Sequence, residues 1–226
     1  MSTLFSEIQR LFERTYASLG VNLEECLIDR KRCRQLSLMA GAQAAELSML
    51  ARTFLRAADG QLKVGIYFSN WLIEQLEKHD PRSGLSDENI GPLIAFIEEI
   101  NHAMHAGLQF QRGMHPESNE DYARNLELQA RVDTYLVLLL FIAFFRKPGT
   151  ITRQDRRWLQ FHMFEADQPR PFRDKTLHAR YAETTLLARK YTSYLEGLAA
   201  SRRVEEIQVF HALGYPEKCN RINRLT

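Results

Sequence analysis

The sequence contains little of what small secreted proteins use for stability. Only three of its 226 residues are cysteines, Cys26, Cys33 and Cys219, and no two of them form a Cys-x-x-Cys pair. An odd number of cysteines in a chain of this size predicts free thiols instead of a disulfide framework. The first residues, "MSTLFSEIQRLFERTY", lack the apolar run of a signal peptide. These features predict a cytoplasmic protein.

Neither charge nor hydropathy indicates a polyanionic partner or a membrane. The 30 Lys and Arg residues nearly balance the 28 Asp and Glu residues, so the formal net charge is +2 and no strong overall field exists. The longest apolar run, at 135–145, is about half of the roughly 20 residues that a membrane-spanning helix requires. The sequence therefore predicts no nucleic-acid partner, no membrane partner, and a buried core helix at 135–145.

Several families of enzymes are excluded by missing motifs. The sequence has no Gly-x-Gly-x-x-Gly segment, no phosphate-binding loop and no nucleophile elbow, which argues against nucleotide-binding folds and serine hydrolases. The basic runs at 29–34 and 153–158 lack a helix-turn-helix pattern and predict solvated helix faces. Function must therefore be sought in other residues.

Proline and glycine are scarce, and the long segments between them have the periodicity of helices. The seven prolines and eleven glycines fall largely between segments with helical periodicity. The pattern predicts an all-α protein that forms one domain over 1–226, with a bundle core at about 30–200. Helices are predicted at about 3–18, 30–58, 62–78, 88–112, 119–146, 152–164 and 174–200, followed by an amphipathic tail.

The stretch "FIEEINHAMH" at 96–105 concentrates ionisable residues on an apolar helix. A helical projection places apolar residues on two faces, which predicts that protein surrounds this helix. Glu99 falls inside the second, Ala-rich face and His102 at its edge, whereas Glu98 and His105 are predicted on a flank in supporting or solvated positions. A buried carboxylate without a partner costs several kcal/mol, so Glu99 requires a cation, a hydrogen-bond network or a proton.

A metal ion is one way to satisfy Glu99. Glu-x-x-His at i, i+3 places both side chains on one helix face, and two further helices offer carboxylates. Glu46 stands among small residues in the predicted helix at 30–58, and Glu127 lies in the helix at 119–146. Asp133 is the alternative to Glu127, because the two residues lie well apart around their helix. The competing interpretation is a buried Glu-His-Asn network that holds the helix register without metal.

These residues resemble the ligands of the ferritin-like superfamily, whose four-helix bundles carry a carboxylate on helices A and C and Glu-x-x-His on helices B and D. Glu46, the Glu99 and His102 motif, and Glu127 match the first three positions in chain order. The last long helix departs from the pattern, because Glu183 is followed at i+3 by leucine. The resemblance implies a ferritin-like bundle with additional N-terminal, connecting and C-terminal helices.

The resemblance also implies a cofactor and a chemistry. Iron or manganese would bind to the ligand set, and the protein would carry out oxygen-dependent oxidation of an unknown small molecule. The implied ligands are Glu46, Glu99, His102, Glu127 and Glu183. Because the second Glu-x-x-His is missing, a single metal, an irregular pair, or a site that has lost its metal all stay open.

A second hypothesis requires no metal. In it the protein is a non-catalytic helical scaffold or interaction module whose apolar faces bury against a partner, with a homodimer as the simplest case. Its polar residues would provide only specificity. Tyr181, Tyr191 and Tyr194 on the last long helix are then predicted to pack in the core, although a tyrosine beside an oxidising metal would have a chemical role.

Overall fold

The computed structural model describes residues 3–41, 46–47, 49–115, 119–145, 151–166 and 172–225. Most of these residues are helical, which confirms the prediction of a mainly helical protein. The helices are α1 (Leu4–Thr15), α2 (Arg30–Met39), α3 (Asn70–Lys78), α4 (Ile90–Gln111), α5 (Glu120–Phe145), α6 (Arg153–Phe164), α7 (Lys175–Glu196), α8 (Ala200–His211) and α9 (Tyr215–Asn223). A hairpin of two antiparallel strands, β1 (Ala51–Ala58) and β2 (Gln61–Phe68), was not predicted.

The helix predicted at 30–58 is wrong in its second part. Helix α2 ends at Met39, and the segment from Ala51 onward is strand β1, which pairs along its whole length with β2. The predicted helix at 62–78 is likewise β2 followed by α3, which begins only after Ser69 accepts a hydrogen bond from the Leu72 amide. The alanines at 42, 44 and 45 lie outside the described residues.

The turn between the strands explains this error. Asp59 and Gly60 connect β1 to β2, and both have positive φ angles, 54° and 71°. An Asp-Gly pair in this conformation matches the right-handed twist of two paired strands and closes a tight hairpin. Because a left-handed glycine also terminates helices, Gly60 alone does not distinguish a hairpin turn from the end of the helix predicted at 30–58.

Helices α4 and α5 form the centre of the structure. They pack on each other, α7 packs on α5, and the hairpin, α1 and α3 pack on α4. Phe96 of α4 contacts Phe5 of α1 and Phe68 of β2, with ring centroids 6.0 Å and 4.6 Å apart, so three elements share one aromatic cluster. The helices predicted at 88–112, 119–146 and 174–200 correspond to α4, α5 and α7, and the tail contains α8 and α9.

Helix α5 contains the apolar run at 135–145. Among the described helices it is the one long and apolar enough to cross a bilayer, although 67% of its most apolar 18-residue window is buried inside the protein. Leu138 and Leu139 are buried, while Leu140 and Phe144 are exposed near the end of the helix. This mostly buried pattern is typical of a core helix.

Asn89 closes the connection between α3 and α4. Its side chain is buried, accepts a hydrogen bond from the Ser86 amide at 2.9 Å, and donates to the carbonyl oxygens of His79 and Gly84 at 3.0 and 2.9 Å. One side chain thus satisfies three backbone groups that flank the 3-10 turn at Pro81–Ser83 in this loop.

We expect Asn89→Ala to lower the free energy of unfolding by about 2–3 kcal/mol, because three buried backbone groups lose their partner. The measurement is urea unfolding of the variant and the natural protein. Asn220→Ala, at an exposed position of α9, serves as the control and should change stability by less than about 0.5 kcal/mol. Equal effects of the two substitutions would contradict the role of Asn89.

Candidate functional site

A cavity of about 680 Å³ lies between α4, the start of β1, α5, α6 and α7. It is large enough for a small organic molecule, whose binding sites typically occupy a few hundred Å³. Four of the five metal ligands predicted from the sequence line it, namely Glu46, Glu99, His102 and Glu127. The structure thus brings together residues that are separated by up to 81 positions along the chain.

Glu183 is not at the cavity. It lies on a different face of α7 from the lining residues Ala182 and Thr185, forms an ion pair with Arg124 of α5, and its side chain is 43% exposed. Glu46 lines the cavity, but its carboxylate accepts hydrogen bonds from the backbone amides of Arg173 and Asp174, at 2.6 and 3.2 Å. Glu46 therefore holds the segment that leads into α7.

Three side chains from three helices meet on one wall. Tyr181 of α7 donates a hydrogen bond to Oε1 of Glu127 at 3.0 Å, and Nε2 of His102 lies 3.9 Å from Oε2 of the same carboxylate. Burial, with a contribution from Glu127, raises the pKa of Tyr181 well above its usual range. The phenol therefore stays protonated and acts as a hydrogen-bond donor to Glu127.

Glu98 is a second buried carboxyl group of the cavity. The sequence placed it on a flank of its helix, in a supporting or solvated position; in the structure it lines the cavity, and its buried Oε1 has no hydrogen-bond partner among the described residues. Burial raises its pKa to about 7; Arg131 opposes the shift and the negative charge of Glu127 adds to it. Glu98 thus exchanges a proton near neutral pH, where a general acid or base is most effective.

Glu99 and Arg131 complete the polar wall. Burial raises the pKa of Glu99, with His102 opposing the shift. Thr53 of β1 donates to the Glu99 carbonyl oxygen at 3.0 Å and ties the hairpin to α4. The guanidinium of Arg131 lies 5.8 Å from the ring centre of Tyr181, so it neutralises only part of the charge of the three neighbouring carboxyl groups.

The arrangement fits the predicted metal site only in part. His102 and Glu127 present donor atoms 3.9 Å apart, a separation that one transition-metal ion, with bonds of about 2 Å, can bridge. Across the ranges that the structure describes, however, no three His, Cys, Asp or Glu side chains gather as a metal-binding group. Glu46 and Glu183 are engaged elsewhere, as described above.

Asp133, the alternative ligand on α5, belongs to a second buried cluster that we call the interior network. Its carboxylate accepts hydrogen bonds from Tyr16 at 2.5 Å, Asn101 at 2.9 Å, His105 at 2.7 Å and Gln129 at 3.1 Å. Burial acts to raise the pKa of Asp133, but the hydrogen bonds, first that of His105, outweigh it and lower the pKa. Asp133 is therefore an ionised acid held by four donors.

His105 is also placed differently from the prediction of a flank position, because it is almost fully buried. Burial lowers its pKa against the opposing effect of Asp133. Since an ionised carboxylate only accepts hydrogen bonds, Nε2 of a neutral His105 carries the proton that it shares with Asp133. The ring of His211 lies 4.4 Å from that of His105 at an interplanar angle of 49°, and burial lowers the pKa of His211 to about 2.

Lys218 connects α9 to this interior network. Its ammonium group is fully buried, donates to Oε1 of Gln129 at 2.6 Å, and lies 4.8 Å from the ring centre of Phe210. Burial lowers its pKa to about 7, with Asp133 opposing the shift. The C-terminal helix is thus tied to α5 through a polar contact inside the protein.

Some of these placements could have been found in the sequence and others could not. Asp133 and Gln129 are separated by four residues, a spacing that predicts contact on one helix face. Tyr16 reaches Asp133 and Lys218 reaches Gln129 from opposite ends of the chain, and no local spacing encodes that approach. The proximity of Glu98 to Glu127 is equally a product of helix packing.

We expect Asp133→Asn to lower the free energy of unfolding by about 3 kcal/mol at pH 7, because it removes a buried charge that four donors require. Its folded-state pKa lies below the ordinary value of 3.8, so its contribution is full above that value and is lost as pH falls through the folded-state pKa. Urea unfolding at pH 7 and in acid measures the difference. Asp121→Asn, an exposed position in the first turn of α5, is the control. An equal effect of both substitutions would refute this account.

Comparison with protein-family models, with curated proteins and with solved structures returns no match to this chain.

Proposed function

We propose that the cavity is a small-molecule site in which Glu98 donates or accepts a proton. The observation that carries this proposal is that Glu98 lies at the wall of a 680 Å³ cavity, with a buried Oε1 that has no hydrogen-bond partner among the described residues. Burial raises the pKa of this carboxyl group to about 7. Carboxyl groups that are kept protonated by burial are a common device for acid–base catalysis at neutral pH. Glu127, oriented by Tyr181, is the second carboxyl group that such chemistry uses.

The cavity also has an entrance that suits an organic molecule. Trp71 and Leu186, which line the cavity, are 51% and 69% exposed, whereas the side chains of His102 and Glu127 are only 15% exposed. The lining thus changes from exposed apolar residues to shielded polar ones. A molecule that entered past the apolar residues would meet Glu98 and Glu127 at a wall that is shielded from water, where proton transfer is least disturbed by solvent.

We expect dicyclohexylcarbodiimide to modify Glu98 at neutral pH. This apolar reagent adds to a protonated carboxyl group, and the adduct rearranges to a stable N-acylurea. Peptide mapping by mass spectrometry should locate the product at Glu98, and labelling should fall as pH rises through about 7, the pKa of this carboxyl group. Glu98→Gln should remove the labelled peptide. Labelling that has already disappeared by about pH 5, where ordinary carboxyl groups are ionised, would refute the proposal.

Stability provides an independent measure of the same proton. The folded-state pKa of Glu98 is raised from 4.5 to about 7, so the folded protein binds a proton that the unfolded chain releases in this window, and stability falls as pH rises through it. Glu98→Gln lacks this proton. As the pH rises from 4.5 to 7, the free energy of unfolding of the variant should increase relative to that of the natural protein by up to about 3 kcal/mol. Glu205→Gln, at an exposed position of α8, should show no such trend.

A second candidate is the metal site implied by the ferritin-like resemblance. His102 and Glu127 are spaced to share one ion, and Glu98 and Glu99 offer further carboxylate oxygens on the same cavity. Imidazole with carboxylates is a donor set that manganese, iron and zinc accept. Such an ion would supply Lewis-acid or redox chemistry, and the carboxyl groups would have to lose their protons to bind it. Oxygen-dependent oxidation and the ferritin-like relationship stay predictions.

Metal binding can be tested without a substrate. We expect calorimetric titration of Mn²⁺, or of Fe²⁺ without oxygen, into chelator-stripped protein to show one site per chain if this candidate holds, and elemental analysis of the untreated protein to agree. His102→Ala and Glu127→Gln should each weaken binding at least about tenfold, since the loss of one ligand or its partner has effects of this size. Binding that persists unchanged in both variants, or none in the natural protein, would eliminate it.

The scaffold hypothesis also keeps a structural basis. The interior network around Asp133 is a buried polar cluster of the kind that this hypothesis requires, since it connects α1, α4, α5 and α9 through hydrogen bonds. It does not account for the unpartnered Oε1 of Glu98 or for the open cavity. For that reason the acid–base site is the function that we favour.

A further inference from the structure

The charges around the cavity favour one kind of ligand. Glu98, Glu99 and Glu127 lie within electrostatic reach of one another, and His102 and Arg131 act on them with opposite or potentially opposite charge. Two further arginines line the cavity but have partners of their own: Arg52 donates to Ser37, and Arg189 forms an ion pair with Glu165. A negatively charged molecule brought to this wall would face three carboxyl groups. A positively charged group would instead supply what these acids lack, because buried carboxylates require a counter-charge or a proton.

An unsatisfied hydrogen-bond acceptor on the cavity wall independently favours a positively charged ligand. Glu127 already accepts from Tyr181 at 3.0 Å, while Oε1 of Glu98 is buried and has no donor among the described residues. A primary ammonium group carries three N–H donors. It can therefore bond to Glu98 and a neighbouring carboxylate together, as a lysine side chain would.

The apolar part of the cavity indicates the chemical character of the rest of the ligand. Trp71, Phe172 and Leu186 lie on the lining, and the first and last of them are largely exposed. Apolar surface at a cavity entrance gains free energy when a ligand covers it, at roughly 25 cal/mol per Å². The site thus combines acceptors for a cation with an apolar surface for a hydrocarbon arm.

We propose that the cavity binds an amphiphilic primary amine, with its ammonium group at Glu98, Glu99 and Glu127 and its hydrocarbon arm against Trp71, Phe172 and Leu186. This inference rests on the proposed function, since it names the ligand class of the same site.

The test is calorimetric titration of the full chain with hexylamine, hexanol and hexanoate. We expect hexylamine to bind at least about tenfold more tightly than hexanol, the scale of a charged hydrogen bond, and hexanoate to bind more weakly than both. Along the series from butylamine to heptylamine, each added methylene should improve affinity about fourfold, as burial of one CH₂ group predicts. A preference for hexanoate, or no dependence on chain length, would overturn the proposal.

Matched variants locate the ammonium group. Glu98→Gln should weaken hexylamine binding at least about tenfold and leave hexanol binding unchanged, whereas Glu205→Gln on the exposed face of α8 should affect neither. Equal affinity of the natural protein and Glu98→Gln for hexylamine would overturn this assignment. If the amine does not bind but carbodiimide still modifies Glu98, the ligand class is wrong and the acid–base site stands. If both fail, the proposed function is wrong as well.

Discussion

The cost of removing carboxyl groups from water governs the centre of this protein. Helices α4 and α5 are covered by other elements on most sides, yet they carry Glu98, Glu99, Glu127 and Asp133. An uncompensated buried charge would cost more free energy than most single contacts return. Every one of these acids therefore has to keep a proton, collect hydrogen bonds or acquire a counter-charge, and the fold provides a different solution for different acids.

Asp133 and Glu98 illustrate two opposite solutions. Around Asp133 four donors converge from α1, α4 and α5, and the pKa falls because the ionised form is the one that the hydrogen bonds stabilise. Around Glu98 no donor reaches Oε1, so burial raises the pKa to about 7. The first arrangement holds elements together, and both carboxylate oxygens of Asp133 already accept hydrogen bonds. The second leaves a proton and an acceptor available beside a cavity, which is why we assign stability to one cluster and chemistry to the other.

The hairpin and α7 convert a polar patch on a helix into a cavity. Strand β1 approaches α4 through the bond from Thr53 to the Glu99 carbonyl oxygen, and Glu46 holds the chain where it enters α7 by accepting two backbone amides. Tyr181 then reaches Glu127 from the other side. Had residues 51–58 continued α2 as a helix, as their composition indicated, the wall at Glu99 would have been covered by a different surface.

The sequence by itself determined that the protein is mainly helical, that 96–105 is a buried helix with ionisable residues, and that Glu99, His102 and Glu127 are the acids and imidazole to examine. These follow from periodicity and spacing, which are local properties. It left open whether Glu127 or Asp133 faces inward, and the structure shows that both do, toward different clusters. The hairpin, the burial of Glu98 and His105, and the approach of Tyr16 and Lys218 to one network were decided by tertiary structure alone. The physical reason is that burial and pKa depend on which distant segments exclude water from a side chain, and no local pattern records those segments.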